Sequence, residues 1–396
     1  MTRAPLDVHD VQLERTEDRV VLSGAVADQR LFWAMPPRSS IMLRGEPFVA
    51  ALLLSAMRTG RALVIPESAP VEAAFLEGMA SLQSIFLRWF PGLTPITIEA
   101  RSIGPRTGAF GTMAGYSGGV DSSYTVQRLA TRLDGTVLFD GIEYRDANPT
   151  LMSQVNRTLS GSMAAAGVPL SIVQTNVKAV GRATGGKWSE FIGGALASIP
   201  HAMGLADYTI AGSNSWENLR PYGTHPFTDP LWGSDALHIH HHGADALRIE
   251  KLAHLRAAPE LLAVLRVCFQ GEDYNCGVCH KCLQTSAALR ALGIACEAMP
   301  PLRDARLLRR LEVEHDGDLA DWIEILTPEL ATGDPELARE LTRLMARYRT
   351  RKLLRAVDAA VLGGLSRRLL RGIGLLRRGG KHPLPPSSGA DPASEA

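Results

Sequence analysis

Between residues 109 and 297, short apolar runs alternate with longer segments whose apolar positions recur every three or four residues. The runs 111–116, 137–142, 170–175, 208–212 and 237–241 read as strands. The segments 122–132, 150–166, 188–203 and 245–256 read as helices. This alternation predicts an α/β domain, a parallel Rossmann-like sheet with helices on both faces. Ligands of such sheets bind beyond the carboxyl ends of the strands. Chemistry is therefore expected just after Tyr116, Ile142, Thr175, Gly212 and His241.

The first 108 residues carry a different pattern. Strands are expected at 20–22, 40–43, 62–65 and 95–98, and helices at 47–57 and 71–90, with Pro47 and Pro70 suited to helix starts. This part reads as an α+β accessory domain that packs on the catalytic one or completes it. Residues 298–378 read as a helical, basic extension, with apolar residues at helical spacing in 319–326 and 335–348. The end, 379–396, is rich in Pro, Ser and Gly and is expected to be disordered.

Composition adds limits. At roughly 150 residues per domain, 396 residues suggest two or three domains. The net charge of +1 gives no global attraction to nucleic acid or membrane. The opening is polar, and the longest apolar run, 48–57, is too short to span a bilayer. Four of the five cysteines fall within fifteen positions, which argues for metal binding in a reducing cytoplasm rather than a disulfide framework.

The densest chemistry is Tyr116-Ser117-Gly118-Gly119-Val120-Asp121-Ser122-Ser123, between an expected strand and an expected helix. Paired glycines let backbone approach an oxyanion, successive N–H groups form a nest, and a helix N-terminus adds positive potential. Ser117, Ser122 and Ser123 supply hydroxyl donors. Asp121 repels a phosphate, and reads as a helix cap or an indirect Mg²⁺ ligand. No lysine follows the glycines, so this is not the common nucleotide P-loop.

Cys268, Cys276, Cys279 and Cys282 form a C-x7-C-x2-C-x2-C array. Four thiolates can close a tetrahedral shell around Zn²⁺. An iron–sulfur cluster is the rival, since thiolates bind that too. Cys296 stands apart and reads as a small core residue.

The string S-G-G-x-D-S-S resembles the signature of the PP-loop ATP pyrophosphatases, which split ATP between its α- and β-phosphates. The cysteine spacing resembles the zinc site of one PP-loop family, the 7-cyano-7-deazaguanine synthases of queuosine-type nucleoside synthesis. Phe139-Asp140-Gly141 is similar to that family's Phe-Asp-Tyr-Gly segment, and Arg248-Ile249-Glu250 to its Lys-x-Glu pair, with Arg in place of Lys. The likeness covers residues 109 to about 290. It implies a PP-loop fold in which Ser117, Gly118, Gly119, Asp121, Ser122 and Ser123 hold ATP with Mg²⁺, while Phe139 and Asp140 lie beside the nucleotide. Residues 214–242 differ from that family's substrate region, so the acceptor stays open.

Arg248, Lys251 and Leu252 fall on one helical stripe, with Asp245 as the expected cap, and two cations near a strand end suit a departing pyrophosphate. Three loops are further candidates: Ser213 to Asn218, Thr224 to Pro230, and Thr184 to Trp188 with Lys187. His238, His240 and His242 share one strand face by alternation and so could bind metal. No carboxylate stands at ligand spacing among them, so one or two are expected to line the site and the rest to pack. From 343 to 381, twelve Lys/Arg face one acid, Asp358, among regularly spaced leucines and valines. That stretch suits an anionic membrane surface, RNA phosphates or a protein partner. A second copy of the chain is also admitted as a partner.

The expected function is an AMP-forming ligase. A small-molecule substrate is adenylated on a carbonyl or carboxylate oxygen and then attacked by a nitrogen nucleophile. One alternative is an ATP-dependent sulfur transferase acting on RNA or a metabolite. Another is a nucleotide-binding scaffold without turnover.

Overall fold

A computed structural model describes residues 3–38, 41–142, 149–270, 273–313 and 315–361. The chain divides into two compact units, Met1–Tyr274 with Ile294–Ala298, and Asn275–Gly293 with Met299–Ala396.

The first unit is an α/β structure with a large, mostly parallel sheet. Its strands are β1 (Leu6–Arg15), β2 (Val20–Val26), β3 (Gln29–Met35), β4 (Leu63–Val64), β5 (Val71–Glu72), β6 (Ile98–Glu99), β7 (Ser102–Ile103), β8 (Phe110–Gly115), β9 (Gly135–Asp140), β10 (Leu170–Thr175), β11 (Leu205–Ala211) and β12 (His238–His242). The ten-stranded sheet runs β12-β11-β8-β9-β10-β3-β2-β1-β4-β6, and β5 pairs separately with β7. The five strands from β12 to β10 are all parallel. From β8 the chain moves out through β9 to β10, then returns to the other side of β8 for β11 and β12. The direction of winding thus reverses between β8 and β11, where a crevice for ligands opens in such sheets.

The first 108 residues, read above as an accessory unit, lie in the same compact unit and the same sheet. β3 pairs antiparallel with β10 through Ala34↔Gln174 and Trp33↔Thr175. Side chains beyond β10 reinforce this seam: Thr175 Oγ1 donates to Phe32 O at 2.7 Å, and Asn176 Oδ1 accepts from Phe32 N at 3.1 Å. The physical reason is the edge of β10, whose backbone groups would otherwise stay unpaired.

The apolar run 48–57 lies within a helix, Glu46–Thr59, buried from Glu46 to Met57. It crosses helix Trp188–Met203 so closely that a Cβ on Gly194 would lie 2.1 Å from Ala50 O. Trp33, fully buried, donates its indole N–H to Ser198 Oγ at 3.0 Å. The expected strand over 40–43 is absent at Ile41–Leu43, which instead lead into this helix. β1 and β3 were not expected. β1 buries only Leu6 and Val8, so its hydrophobic signal is thin.

The second unit is helical, with Cys279-capped His280–Leu292, then Asp316–Ile323, Pro328–Gly333 and Pro335–Val361. Trp322 is fully buried there and donates to His280 Nε2 at 3.2 Å. Arg290 pairs with Asp334 at 2.6 Å and with Glu336 at 2.9 Å. On the long helix Leu353, Leu354 and Val357 are exposed among basic residues. The remainder of the basic stretch and the 379–396 tail lie outside the described residues. No described helix is long and apolar enough to cross a membrane.

Candidate functional site

The glycine–serine loop leaves β8 at the winding reversal. Tyr116 N still donates to Val137 O at 2.8 Å, after which the chain turns. Gly118 sits at φ +74°, a left-handed conformation in which a Cβ would also lie 2.7 Å from the Leu159 side chain. Only glycine fits there. Gly119 precedes helix Val120–Leu129 in extended conformation, with no side-chain cap. Ser122 Oγ ties the turn together: it accepts from Ser117 N at 3.2 Å, donates to Gly119 O at 3.2 Å and lies 3.3 Å from Ser117 Oγ. From outside, Arg266 N donates to Gly118 O at 2.8 Å. The result is a tight turn opening onto a helix N-terminus, where unsatisfied N–H groups favour an anion. Ser123, expected among the donors, is instead fully buried.

Asp121 does not cap the helix. Its carboxylate accepts from Arg248 Nη1 and from Lys251 Nζ, each at 2.9 Å. Lys251 also donates to Gly212 O at 2.6 Å. Lys251 is 1% exposed and Arg248 9%. The stripe of 248 and 251 forms as the spacing predicted, on helix Arg248–His254. That helix starts later than Asp245, and Glu250 Oε2 accepts from Leu247 N at 2.8 Å instead. One carboxylate thus meets two cations. This accounts for an acid beside a turn at a helix N-terminus. Both Asp121 oxygens carry a cation's proton, which fits a Mg²⁺ ligand poorly.

The other ligand-edge candidates divide. Phe139 is 4% exposed, its ring 6.3 Å from that of Tyr208, so it is a core residue at its strand end. Asp140 follows, half-buried, at the end of β9. The segment 213–218 leaves β11 next to the loop's strand, and Trp216 in it is 57% exposed. Lys187 lies 3.8 Å from Glu190, and its glycine turn packs on Ser55 and Thr59.

The histidines of β12 separate by face. His238 and His240 are exposed and flank Asp207 of β11, at 3.9 and 3.2 Å, so the neighbouring strand supplies a carboxylate. His242 lies 3.0 Å from Thr125 Oγ1 and beside the Tyr124 ring; burial holds its pKa below the ordinary histidine value. His241 points to the opposite face and donates from Nδ1 to Asp229 Oδ2 at 2.6 Å. Asp229 is fully buried, and burial raises its pKa.

The Sγ atoms of Cys268, Cys276, Cys279 and Cys282 all lie within 4.8 Å of one another. Those of Cys276 and Cys282 are 3.9 Å apart. Two thiolates sharing a tetrahedral ion with Zn–S of ~2.3 Å sit about 3.8 Å apart. Backbone N–H groups of Cys279 and Gln270 donate to Cys276 and Cys268 sulfurs at 3.3 and 3.4 Å. Cys282 lies in the first turn of helix His280–Leu292, where the dipole favours a thiolate. The set fits one tetrahedral metal ion such as zinc. A multi-iron cluster would spread its thiolates further. Among the described residues no other His, Cys, Asp or Glu group has metal-holding geometry.

Compared with protein-family models, curated proteins and solved structures, the chain matches none.

Sequence reasoning placed the loop, the cationic stripe and the cysteines, but not the pairings of Asp121 or the contact of Asp229 with His241. Twelve positions separate those last two, with a strand start between them. The only sequence signal was the proline-bounded turn from Thr224 to Pro230.

Proposed function

We propose that this chain is a PP-loop-type ATP pyrophosphatase that activates a small molecule by adenylation and couples it to nitrogen. One observation carries the reading: the Ser117–Ser123 turn sits at the winding reversal of a parallel sheet, with Arg248 and Lys251 gathered on Asp121 beside it. ATP, accompanied by Mg²⁺, lays its phosphates along the turn. Backbone N–H groups and the Ser117 hydroxyl hold them, Ser122 keeps the turn in shape, and Arg248 and Lys251 add positive potential through and around Asp121.

A carboxylate or carbonyl oxygen of the substrate attacks the α-phosphorus. The new P–O bond forms as the bond to the β-phosphate bridge breaks, and pyrophosphate leaves. A nitrogen nucleophile then attacks the adenylated carbon, the carbon–oxygen bond to AMP breaks, and the nucleophile's proton passes to solvent. Nitrogen is favoured over sulfur by the cysteines. Four lie together as a ligand set, and Cys296 has its thiol on Leu262 O at 3.1 Å. Those four supply a closed thiolate shell for a structural metal. The metal's chemistry is cross-linking, and no step runs through it.

The test is product analysis with α-labelled ATP, Mg²⁺, ammonium and a pool of small carboxylates. AMP and pyrophosphate are expected, and Ser117→Ala should abolish them. ADP and phosphate as products, or normal turnover by Ser117→Ala, would defeat the proposal.

A further inference from the structure

Beneath the end of β11 lies a second buried pair that the proposed chemistry does not use. Asp229, fully buried, accepts from His225 N at 3.0 Å and from His241 Nδ1 at 2.6 Å. Two N–H groups thus fix the carboxylate, and the carboxylate fixes the ring and its tautomer. The proton sits on Nδ1, and Nε2 presents a lone pair. The His241 side chain is only 6% exposed, and Nε2 has no hydrogen-bond partner.

What Nε2 meets is Gly212. A Cβ built on that glycine would lie 2.2 Å from Nε2 and 2.8 and 3.0 Å from the two ring carbons beside it. The lone pair therefore faces the α-carbon of Gly212 directly, as in a weak C–H···N contact. Gly212 is held on its other sides too. Its N–H donates to His242 O at 2.8 Å, and its carbonyl accepts from Lys251 Nζ at 2.6 Å. Lys251 in turn reaches Asp121 at 2.9 Å. On the far side of Lys251, Gly243 at φ +90° comes so close that a Cβ there would lie 3.5 Å from Nζ.

We propose that His241, held by Asp229, is a positioning residue: it sets the end of β11 at Gly212, and through the Gly212 carbonyl it fixes the Lys251 ammonium against Asp121. The functional weight of this rests on the reading of Lys251 as part of the ATP charge set. The ring works as a shaped wedge between Asp229 and Gly212. A side chain at 212 would push either the ring or the strand end. Removal of the ring lets the Gly212 peptide sink toward the vacated space and draws its carbonyl off Lys251. The turn from Thr224 to Pro230 acquires a task as the mount of Asp229, with Pro230 starting the short helical turn Asp229–Trp232.

The test reads Lys251 itself. Lysines are acylated with an isotope-coded acetylating reagent at pH 8 and site rates followed by mass spectrometry, in the full chain. In the wild type Lys251 should react at least tenfold slower than Lys187, whose side chain is 63% exposed. His241→Ala removes the ring, and Gly212→Ala drives a Cβ into the imidazole. Each should raise the Lys251 rate tenfold or more, with Lys187 and the half-buried Lys178 unchanged. Asp229→Asn, which keeps the shape and weakens the clamp, should move Lys251 in the same direction. An unchanged Lys251 rate in both His241→Ala and Gly212→Ala overturns the proposal. So does a rise that Lys178 shares, since that marks general loosening. A wild type that forms no pyrophosphate would sink the ATP reading and leave the labelling result standing. Unchanged labelling in a pyrophosphate-forming enzyme would sink this inference alone.

Discussion

Replacing Asp121 by Asn removes one negative charge from between two cations that have almost no contact with water. Lys251 is 1% exposed and Arg248 9%, each 2.9 Å from the carboxylate. At an effective dielectric near 20, unit charges 4 Å apart interact by about 4 kcal/mol. Burial cost offsets much of that while the pair is intact, but breaking a buried pair leaves the partner uncompensated and costs about 3–5 kcal/mol. Two buried, mutually repelling cations that lose this carboxylate place Asp121→Asn within that range. Lys251→Met is different. It leaves Asp121 paired with Arg248 and loses chiefly the bond to Gly212 O, about 1–3 kcal/mol. In the double variant Arg248 loses the Asp121 carboxylate, but the Lys–Arg repulsion is gone. Its cost should fall short of the sum of the single costs by about 2 kcal/mol. Urea unfolding at pH 7.5, followed through the buried Trp33 and Trp232, gives the four stabilities. An Asp121→Asn midpoint equal to the wild type, or strict additivity in the double variant, would refute the electrostatic reasoning. Because Asp121 carries this structural weight, Ser117→Ala is the cleaner probe of the proposed ATP cleavage.

Two further predictions concern metal and protons. Purified protein should carry about one zinc per chain and no visible colour, and Cys279→Ser should lose the metal and melt early, because binding energy at such sites is largely folding energy; stoichiometric iron with a brown colour would contradict this. His201 is buried, with Nε2 2.8 Å from Trp232 O, and burial lowers its pKa to about 3. The unfolded chain, with a histidine pKa of about 6.5, binds the proton first, so stability is held above pH 6.5 and lost as pH falls toward 3. By pH 5 this residue accounts for about 2 kcal/mol, and His201→Gln should flatten the melting-temperature profile between pH 6.5 and 5; an unchanged slope would mean that the ring titrates normally.

Periodicity alone was enough for elements whose local pattern and tertiary role agree. Strand Leu170–Thr175 and helix Trp188–Met203 lie where the apolar spacing puts them. The loop at Ser117–Ser123 was legible because its chemistry is contiguous: glycines, serines and a helix start within eight residues. The cysteine set was legible because metal ligation demands a spacing that little else produces.

Long-range pairing decided the rest. β1 and β3 carry thin hydrophobic signals and exist as strands because β10 presents an unpaired edge that β3 covers and the meander extends. The run 48–57 is helix core rather than surface because helix Trp188–Met203 approaches to backbone distance at Gly194. Asp121 reads as a cap in one dimension, since an acid in a first turn usually is one; only the fold brings Arg248 and Lys251 across 127 and 130 positions to claim it. The pairing of Asp229 with His241 has no periodic signature either. It arises because a proline-stiffened turn and a strand end are packed face to face, and the interior leaves a buried carboxylate no water to turn to.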